Sequence, residues 1–200
     1  MKLSIIVCVL NEIKTIEKIL QKIQISENLK VFFQKKNFGK GNSIIKGIEE
    51  SSGDIIIFQD ADLEYDPNNY NKLINHLIKN NLDAVFGSRI KNNEIHFYYK
   101  MNRFAVILLT KLINFLYRGS FTDTATNHKL IKSEVLKKLN LVSKGFNLDF
   151  EISLKLAKYN YSCDEIPIEY CPRSYKEGKK INLLDAIKSF FVILYYFFGK

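Results

Sequence analysis

Gly53-Asp54-Ile55-Ile56-Ile57-Phe58-Gln59-Asp60-Ala61-Asp62-Leu63-Glu64 sets four consecutive apolar residues directly before a short acidic cluster. The run Ile55 to Phe58 reads as a strand buried on both faces, the pattern of a parallel strand inside an α/β sheet. Such a strand delivers the residues at its end to the crevice where open α/β folds bind ligands. Asp60 and Asp62 are two positions apart, so in extended backbone their side chains point to the same side. Two carboxylates placed that way repel each other unless a cation lies between them, and hard oxygen ligands suit Mg²⁺ or Mn²⁺. The competing reading is an acidic loop that caps a helix starting near Pro67, with Asp66 as N-cap. Asp66 does that alone, which leaves Asp60-Ala61-Asp62 without a purpose, so the metal reading is preferred.

The length of 200 residues suits one domain with a proper core, and no Pro/Gly-rich linker divides it. The net charge of +9 implies an anionic partner: nucleic acid, a phosphorylated substrate or an anionic membrane surface. Nucleic acid is set aside, because there is no helix-turn-helix, zinc-ligand or RNA-binding aromatic signature. Three cysteines without CxxC spacing point to a reducing compartment. No signal-peptide pattern and no run of about 20 apolar residues is present. The expectation is a cytoplasmic protein, or one lying peripherally on the cytoplasmic face of a membrane.

The run Leu3 to Leu10 is a first strand, followed by Asn11-Glu12 and a helix carrying Ile13, Ile16, Ile19, Leu20 and Ile23. Asn11 in that position also suits a helix N-cap. Val31-Phe32-Phe33 reads as a second short strand. Asn37-Phe38-Gly39-Lys40-Gly41 then opens a helix, and glycines with a lysine at a helix N-terminus suit phosphate. It is not a Walker A loop, and a flexible turn explains it nearly as well. Further on come a helix over Tyr70–Lys79, a strand ending at Gly87-Ser88-Arg89, and an amphipathic helix from Phe97 to Arg118. Gly145 to Glu151 opens another helix with Asp149 and Glu151 in its first turn, where carboxylates commonly serve the helix dipole. A strand over Tyr161–Tyr170, a basic loop from Arg173 to Ile181 and the aromatic stretch Phe190–Phe198 close the chain. That stretch is too short to cross a bilayer. With Lys179, Lys180 and Lys188 before it, it reads as an interfacial segment or as a terminal helix docked on the core.

Taken in order, Ser4-Ile5-Ile6-Val7 with Asn11-Glu12, Lys36 to Gly41, Gly53 to Pro67, Gly87-Ser88-Arg89, Thr122-Asp123 and Arg173 to Ile181 carry a resemblance. The chain is similar to glycosyltransferase family 2, in the branch of dolichyl-phosphate mannose synthase and polyprenyl-phosphate glycosyltransferases. The resemblance implies an α/β fold of GT-A type, a Rossmann-like, mostly parallel sheet flanked by helices. It implies a single domain over residues 1–200, with a nucleotide-sugar and metal half (1–96) and an acceptor half (97–200) whose amphipathic C-terminal helices rest on a membrane. Asp60 and Asp62, with Glu64, would bind Mg²⁺ or Mn²⁺. Asn11 and Glu12 would lie beside the base and ribose, with Asn37, Gly39 and Lys40 near the nucleotide. Arg89, Arg173 and Lys179 would meet phosphates. Asp149 or Glu151 would be the base if the acceptor were a sugar hydroxyl; a polyprenyl phosphate is already ionised and needs none. The implied reaction is inverting transfer from a nucleoside-diphosphate sugar (GDP-mannose or a UDP-sugar) to a polyprenyl or dolichyl phosphate.

One departure stands out. Family members place a second strand and an Asp-Asp-Gly-Ser type turn after the first helix, and here Ile25 to Lys30 leads directly into Val31-Phe32-Phe33. The Val31 strand either moves in beside the first strand or leaves a gap there. Three functions follow: a transferase with a trimmed base pocket, a catalytically inactive remnant that binds membrane, and a metal-dependent phosphohydrolase.

Overall fold

The computed structural model describes residues 1–23, 29–91, 100–174 and 183–199. Its elements are β1 (Leu3–Cys8), α1 (Ile16–Ile23), α2 (Lys40–Glu50), β2 (Ile55–Asp60), α3 (Asn69–Lys79) and β3 (Ala84–Ser88). They continue with α4 (Lys100–Tyr117), β4 (Lys129–Lys132), α5 (Ser133–Lys138), α6 (Leu148–Lys158), β5 (Cys163–Pro167) and α7 (Leu183–Phe198). The strands form one sheet in the order β1-β2-β4-β3-β5. β1 pairs with β2 and β3 with β5 in parallel, while β4 lies antiparallel between β2 and β3. The sheet is therefore mixed, with four strands in one direction, and it interleaves strands from before and after residue 97.

Alternation along β2 and β3 decides the layers. Ile56, Phe58, Ala84 and Phe86, with Ile131 of β4, face a core completed by α2, α4, α5, α6 and α7. Ile55, Ile57, Val85 and Leu130 face the opposite way, onto Tyr70, Leu73 and Leu77 of α3. Burial on both faces is why Ile55–Phe58 reads as an unbroken apolar run. β4 escapes that reading, because its four residues begin and end in lysine and give no period to recognise.

The strand expected at Val31-Phe32-Phe33 does not form. Residues 29–36 carry no strand, and Phe33 is 94% exposed. Three apolar residues between Lys30 and Gln34-Lys35-Lys36 supply too short a ladder to offset the entropy of ordering them. Among the described residues, β1 is consequently an edge strand, with no neighbour on the side away from β2.

Glycines at the start of α2 answer a packing need. A Cβ on Gly41 would lie 2.2 Å from the Ser143 carbonyl oxygen, and one on Gly39 2.2 Å from that of Lys144. Gly39 also takes φ 96°, a region L side chains rarely adopt. The Asn42 N–H donates to the Lys144 carbonyl across this contact, at 3.2 Å. Gly41→Ala is therefore expected to cost about 1–3 kcal/mol in urea unfolding, through backbone crowding alone. An unchanged midpoint would show that the 143–145 loop gives way freely.

Candidate active site

The acidic turn after β2 is set by Gln59. Its buried amide nitrogen donates to the carbonyls of Asp60 (2.9 Å) and Tyr65 (3.2 Å), closing the turn between them. Its Oε1 accepts from the Tyr70 hydroxyl at 2.6 Å and from His128 Nε2 at 3.0 Å, which fixes the proton of the neutral imidazole on Nε2. Leu63 takes φ 63°, a strained conformation for a bulky residue, and the turn then presents Asp60, Asp62 and Glu64. Burial pushes the His128 imidazole down to about 3, against a small upward pull from Asp66. Between that value and the ordinary 6.5 the unfolded chain holds the extra proton, so stability falls as pH falls. The expected slope is about 1.4 kcal/mol per pH unit, and His128→Gln should remove it from a series of urea titrations at stepped pH.

Two cations sit on this turn. Lys40 Nζ, at the N-terminus of α2, lies 3.0 Å from Asp60 Oδ1 and 4.0 Å from Asp149 Oδ2. Burial alone would lower the Lys40 pKa; Asp60 and Asp149 more than reverse that and hold it above the ordinary lysine value. The other oxygen of Asp149 pairs at 3.1 Å with Lys129, a fully buried lysine that also donates to the carbonyls of Thr124 and Thr126. Arg173 Nη2 lies 2.9 Å from Asp62 Oδ2, and the guanidinium forks onto Glu12 with two contacts of 3.1 Å. Even so, burial pushes the Asp62 carboxyl up to about 7, with Asp60 and Glu64 adding repulsion that Arg173 only partly offsets. The turn is short of positive charge.

That deficit fits a hard dication at Asp60 and Asp62. Among the described residues no three metal-ligating side chains converge, so an ion there would complete its sphere with phosphate oxygens and water, as Mg²⁺ commonly does. Glu64, the third ligand the resemblance implied, already has partners of its own. Its oxygens are taken by the Tyr170 hydroxyl (2.7 Å) and the Arg173 backbone N–H (2.9 Å), and it anchors the segment after β5.

The other expected residues divide. Glu12, Gly39, Lys40, Asn37, Arg89, Asp149 and Arg173 all line one cavity with the acidic turn. Asn11 does not; it takes φ 55° in the turn after β1, five residues before α1 begins, so it is not the N-cap either. Asn37 accepts the Gly39 N–H at 2.8 Å and shapes the turn into α2. Lys179 lies outside the described residues. Arg89 is buried and gripped by Asp123 through two side-chain contacts of 2.7 and 2.8 Å. Glu165 in turn accepts the Asp123 N–H and both the N–H and hydroxyl of Thr122. Glu151 is buried against Lys155, the Val142 and Ser143 N–H groups and the Tyr196 hydroxyl, so it has a structural task and no access to an acceptor. Lys129, Glu165 and Tyr170 were not singled out from the sequence; their partners lie 20 to 106 positions away.

The cavity, of about 2390 Å³, runs from the acidic turn past Phe146 to Phe104 and Leu108 of α4 and Phe190 of α7. α7 docks through buried Ile193, whose carbonyl accepts the Tyr117 hydroxyl, and turns Phe191, Tyr195 and Phe198 outward. The docked reading of this stretch holds on its Ile193 side, and the opposite side is exposed. No helix among the described residues is long and apolar enough to cross a membrane.

Residues 15–139 match the model of glycosyl transferase family 2. The chain belongs to this family. It is 31% identical over 182 residues to an uncharacterised protein of Methanocaldococcus jannaschii, covering 86% of this chain and 78% of that one. It is 30% identical to the dolichol-phosphate mannosyltransferase of Pyrococcus furiosus over 76% of its own length, and spans 43% of that relative. The UDP-N-acetylglucosamine–dolichyl-phosphate N-acetylglucosaminyltransferase of Methanococcus voltae is 27% identical, over 82% of this chain and 68% of the relative. Among solved structures, glucosyl-3-phosphoglycerate synthase from Mycobacterium tuberculosis, with Mn²⁺, UDP and glucosyl-3-phosphoglycerate, superimposes with TM-score 0.62 at 15% identity. It is matched over 99% of this chain and 80% of that chain, and the likeness shows the fold.

The family 2 chain therefore has the GT-A fold the resemblance implied, and the phosphohydrolase reading is dropped. Within that fold, the described residues carry no strand beyond β1, and the irregular residues 29–34 line the cavity beside β1 instead.

Proposed function

We propose that this glycosyltransferase moves a sugar, with inversion, from a nucleoside-diphosphate sugar to a polyprenyl phosphate at the cytoplasmic face of a membrane. The observation that carries the proposal is the mixed lining of one cavity. Asp60, Asp62, Asp149 and Lys40 line it together with a largely apolar set from α4 and α7, Phe104, Leu108, Leu109, Ile187 and Phe190, among which Arg103 and Asp185 are the charged members. A lipid bearing a phosphate combines charged and apolar parts in the same way. The names of the Pyrococcus and Methanococcus relatives support a dolichyl-phosphate acceptor, and the Methanococcus name a UDP-sugar donor; GDP-mannose is the other donor of this proposal.

In this reading a Mg²⁺ or Mn²⁺ held by Asp60 and Asp62 supplies neutralisation of the charge on the departing diphosphate. Lys40 and Arg173 bind diphosphate oxygens from either side of the acidic turn. An acceptor phosphate arrives ionised, so no side chain needs to take its proton. Asp149, pinned by Lys129, then orients Lys40. Arg89, held by Asp123 and lying 5.2 Å from the Tyr170 ring, fixes the wall beneath. The test is calorimetric titration of GDP- and UDP-sugars with Mn²⁺ into the wild type and Asp60→Ala/Asp62→Ala. Metal-dependent binding lost in the double variant supports the reading, and a folded wild type that binds no donor contradicts it.

One observation favours a second reading, an inactive family member that binds membrane: the edge of β1, which no strand extends among the described residues. Retained membrane binding with no donor binding would mark it. Either way the outward apolar side of α4 and α7, with exposed Arg103, Lys111 and Lys188, is the proposed membrane contact. Phe115→Glu/Phe191→Glu, both exposed and outside the cavity, should lower flotation with anionic vesicles by about tenfold or more, given about 25 cal/mol per Å² of apolar area withdrawn. Flotation equal to wild type would place the contact elsewhere.

A further inference from the structure

Each oxygen of the two candidate metal ligands already has an N–H partner. Lys40 Nζ reaches both Asp60 oxygens, at 3.0 and 3.4 Å. Asp62 accepts the Glu64 backbone N–H on Oδ1, at 3.1 Å, and Arg173 on Oδ2, at 2.9 Å. Lys40 and Arg173 come from opposite ends of the chain and from opposite sides of the acidic turn. They are largely buried there, with side-chain exposures of 14% and 15%.

We infer that Lys40 and Arg173 are built-in counter-cations that oppose a dication arriving alone and yield the carboxylates to a dication arriving with a diphosphate. The inference rests on the donor reading above and adds how its two components depend on each other. A Mg²⁺-sized ion needs carboxylate oxygens at about 2.0–2.1 Å, where it would face the ammonium and guanidinium already on those atoms. To bind, it must push both groups aside, leaving Lys40 with Asp149 at 4.0 Å and Arg173 with Glu12, so that each largely buried cation loses part of its compensation. A diphosphate removes that cost, because its oxygens offer charge-assisted acceptors to the displaced side chains. Metal and nucleotide therefore bind with positive coupling, and by linkage each tightens the other by the same factor. Glu12 gives Arg173 a place to turn on: its two contacts of 3.1 Å hold the guanidinium at the rim when Asp62 is released.

The experiment measures free Mn²⁺ by electron paramagnetic resonance during titration, with and without UDP or GDP, for wild type, Lys40→Met and Arg173→Gln. For the wild type, weak binding of Mn²⁺ alone should tighten about 5–150-fold with nucleotide, the usual span of coupling. Each variant should bind Mn²⁺ alone several-fold more tightly than wild type and show a coupling factor several-fold smaller, the remainder coming from phosphate oxygens on the ion itself. Arg173→Lys should fall between, since it keeps the charge and loses the fork. The variants report on separate carboxylates, so one that fails to fold leaves the other decisive. Variants that bind Mn²⁺ alone no better than wild type, with coupling intact, overturn the counter-cation role and leave the donor reading standing. No Mn²⁺ and no nucleotide bound by any folded form overturns both.

Discussion

Asp60→Asn is expected to lower sugar transfer by about 10³-fold while the protein stays folded. Loss of one charge-placing group at a preorganised centre typically costs about 10²–10³ in turnover. Asp60 is also the carboxylate that meets Lys40 and, through it, Asp149, so its loss touches both of those groups. Asparagine keeps an acceptor for Lys40, and the stability cost should remain near 1 kcal/mol. Transfer and urea unfolding measured on the same preparation separate the two effects. Turnover within tenfold of wild type would remove Asp60 from the reaction, and a collapse in stability would make it structural.

The largest expected effect on stability belongs to the Arg89–Asp123 pair. Asp123→Ala leaves a buried guanidinium without its carboxylate and should cost about 3–5 kcal/mol in urea unfolding. Replacing both partners, Arg89→Met/Asp123→Leu, should cost much less than that single change, because no buried charge is then left unpaired. Burial alone would raise the Asp123 pKa, yet Arg89 and its hydrogen bonds hold it below the ordinary 3.8. The sign follows: the pair contributes fully above about pH 4, and the contribution is lost as pH falls through the folded value. Equal costs for the single and double changes would show that packing, and not charge pairing, dominates there.

What the sequence revealed was mainly local. Ile55–Phe58 reads as a buried strand because burial on both faces leaves an unbroken apolar run, and the carboxylates after it fall at the sheet edge by chain connectivity. Asp149 in the first turn of its helix is visible too, but its pairing with Lys129 and its approach to Lys40 come from three elements meeting. Arg173 meets Glu12 across 161 positions, which no spacing encodes. Gly39 and Gly41 show how one local signal can carry two meanings: they suit a phosphate loop, and the fold also uses them to admit the backbone of residues 143–145. Val31-Phe32-Phe33 has the residues of a strand without the length, and Lys129–Lys132 has a strand without its residues.

The most direct measurement is transfer of radiolabel from GDP-mannose and from UDP-sugars to a short polyprenyl phosphate, with Mn²⁺, by wild type and Asp60→Asn. Label extracted into the lipid phase with wild type, and about 10³-fold less with the variant, is the expected result. A folded wild type that moves no label from any of these donors, while still floating with anionic vesicles, would contradict the transferase reading and leave the membrane-bound remnant.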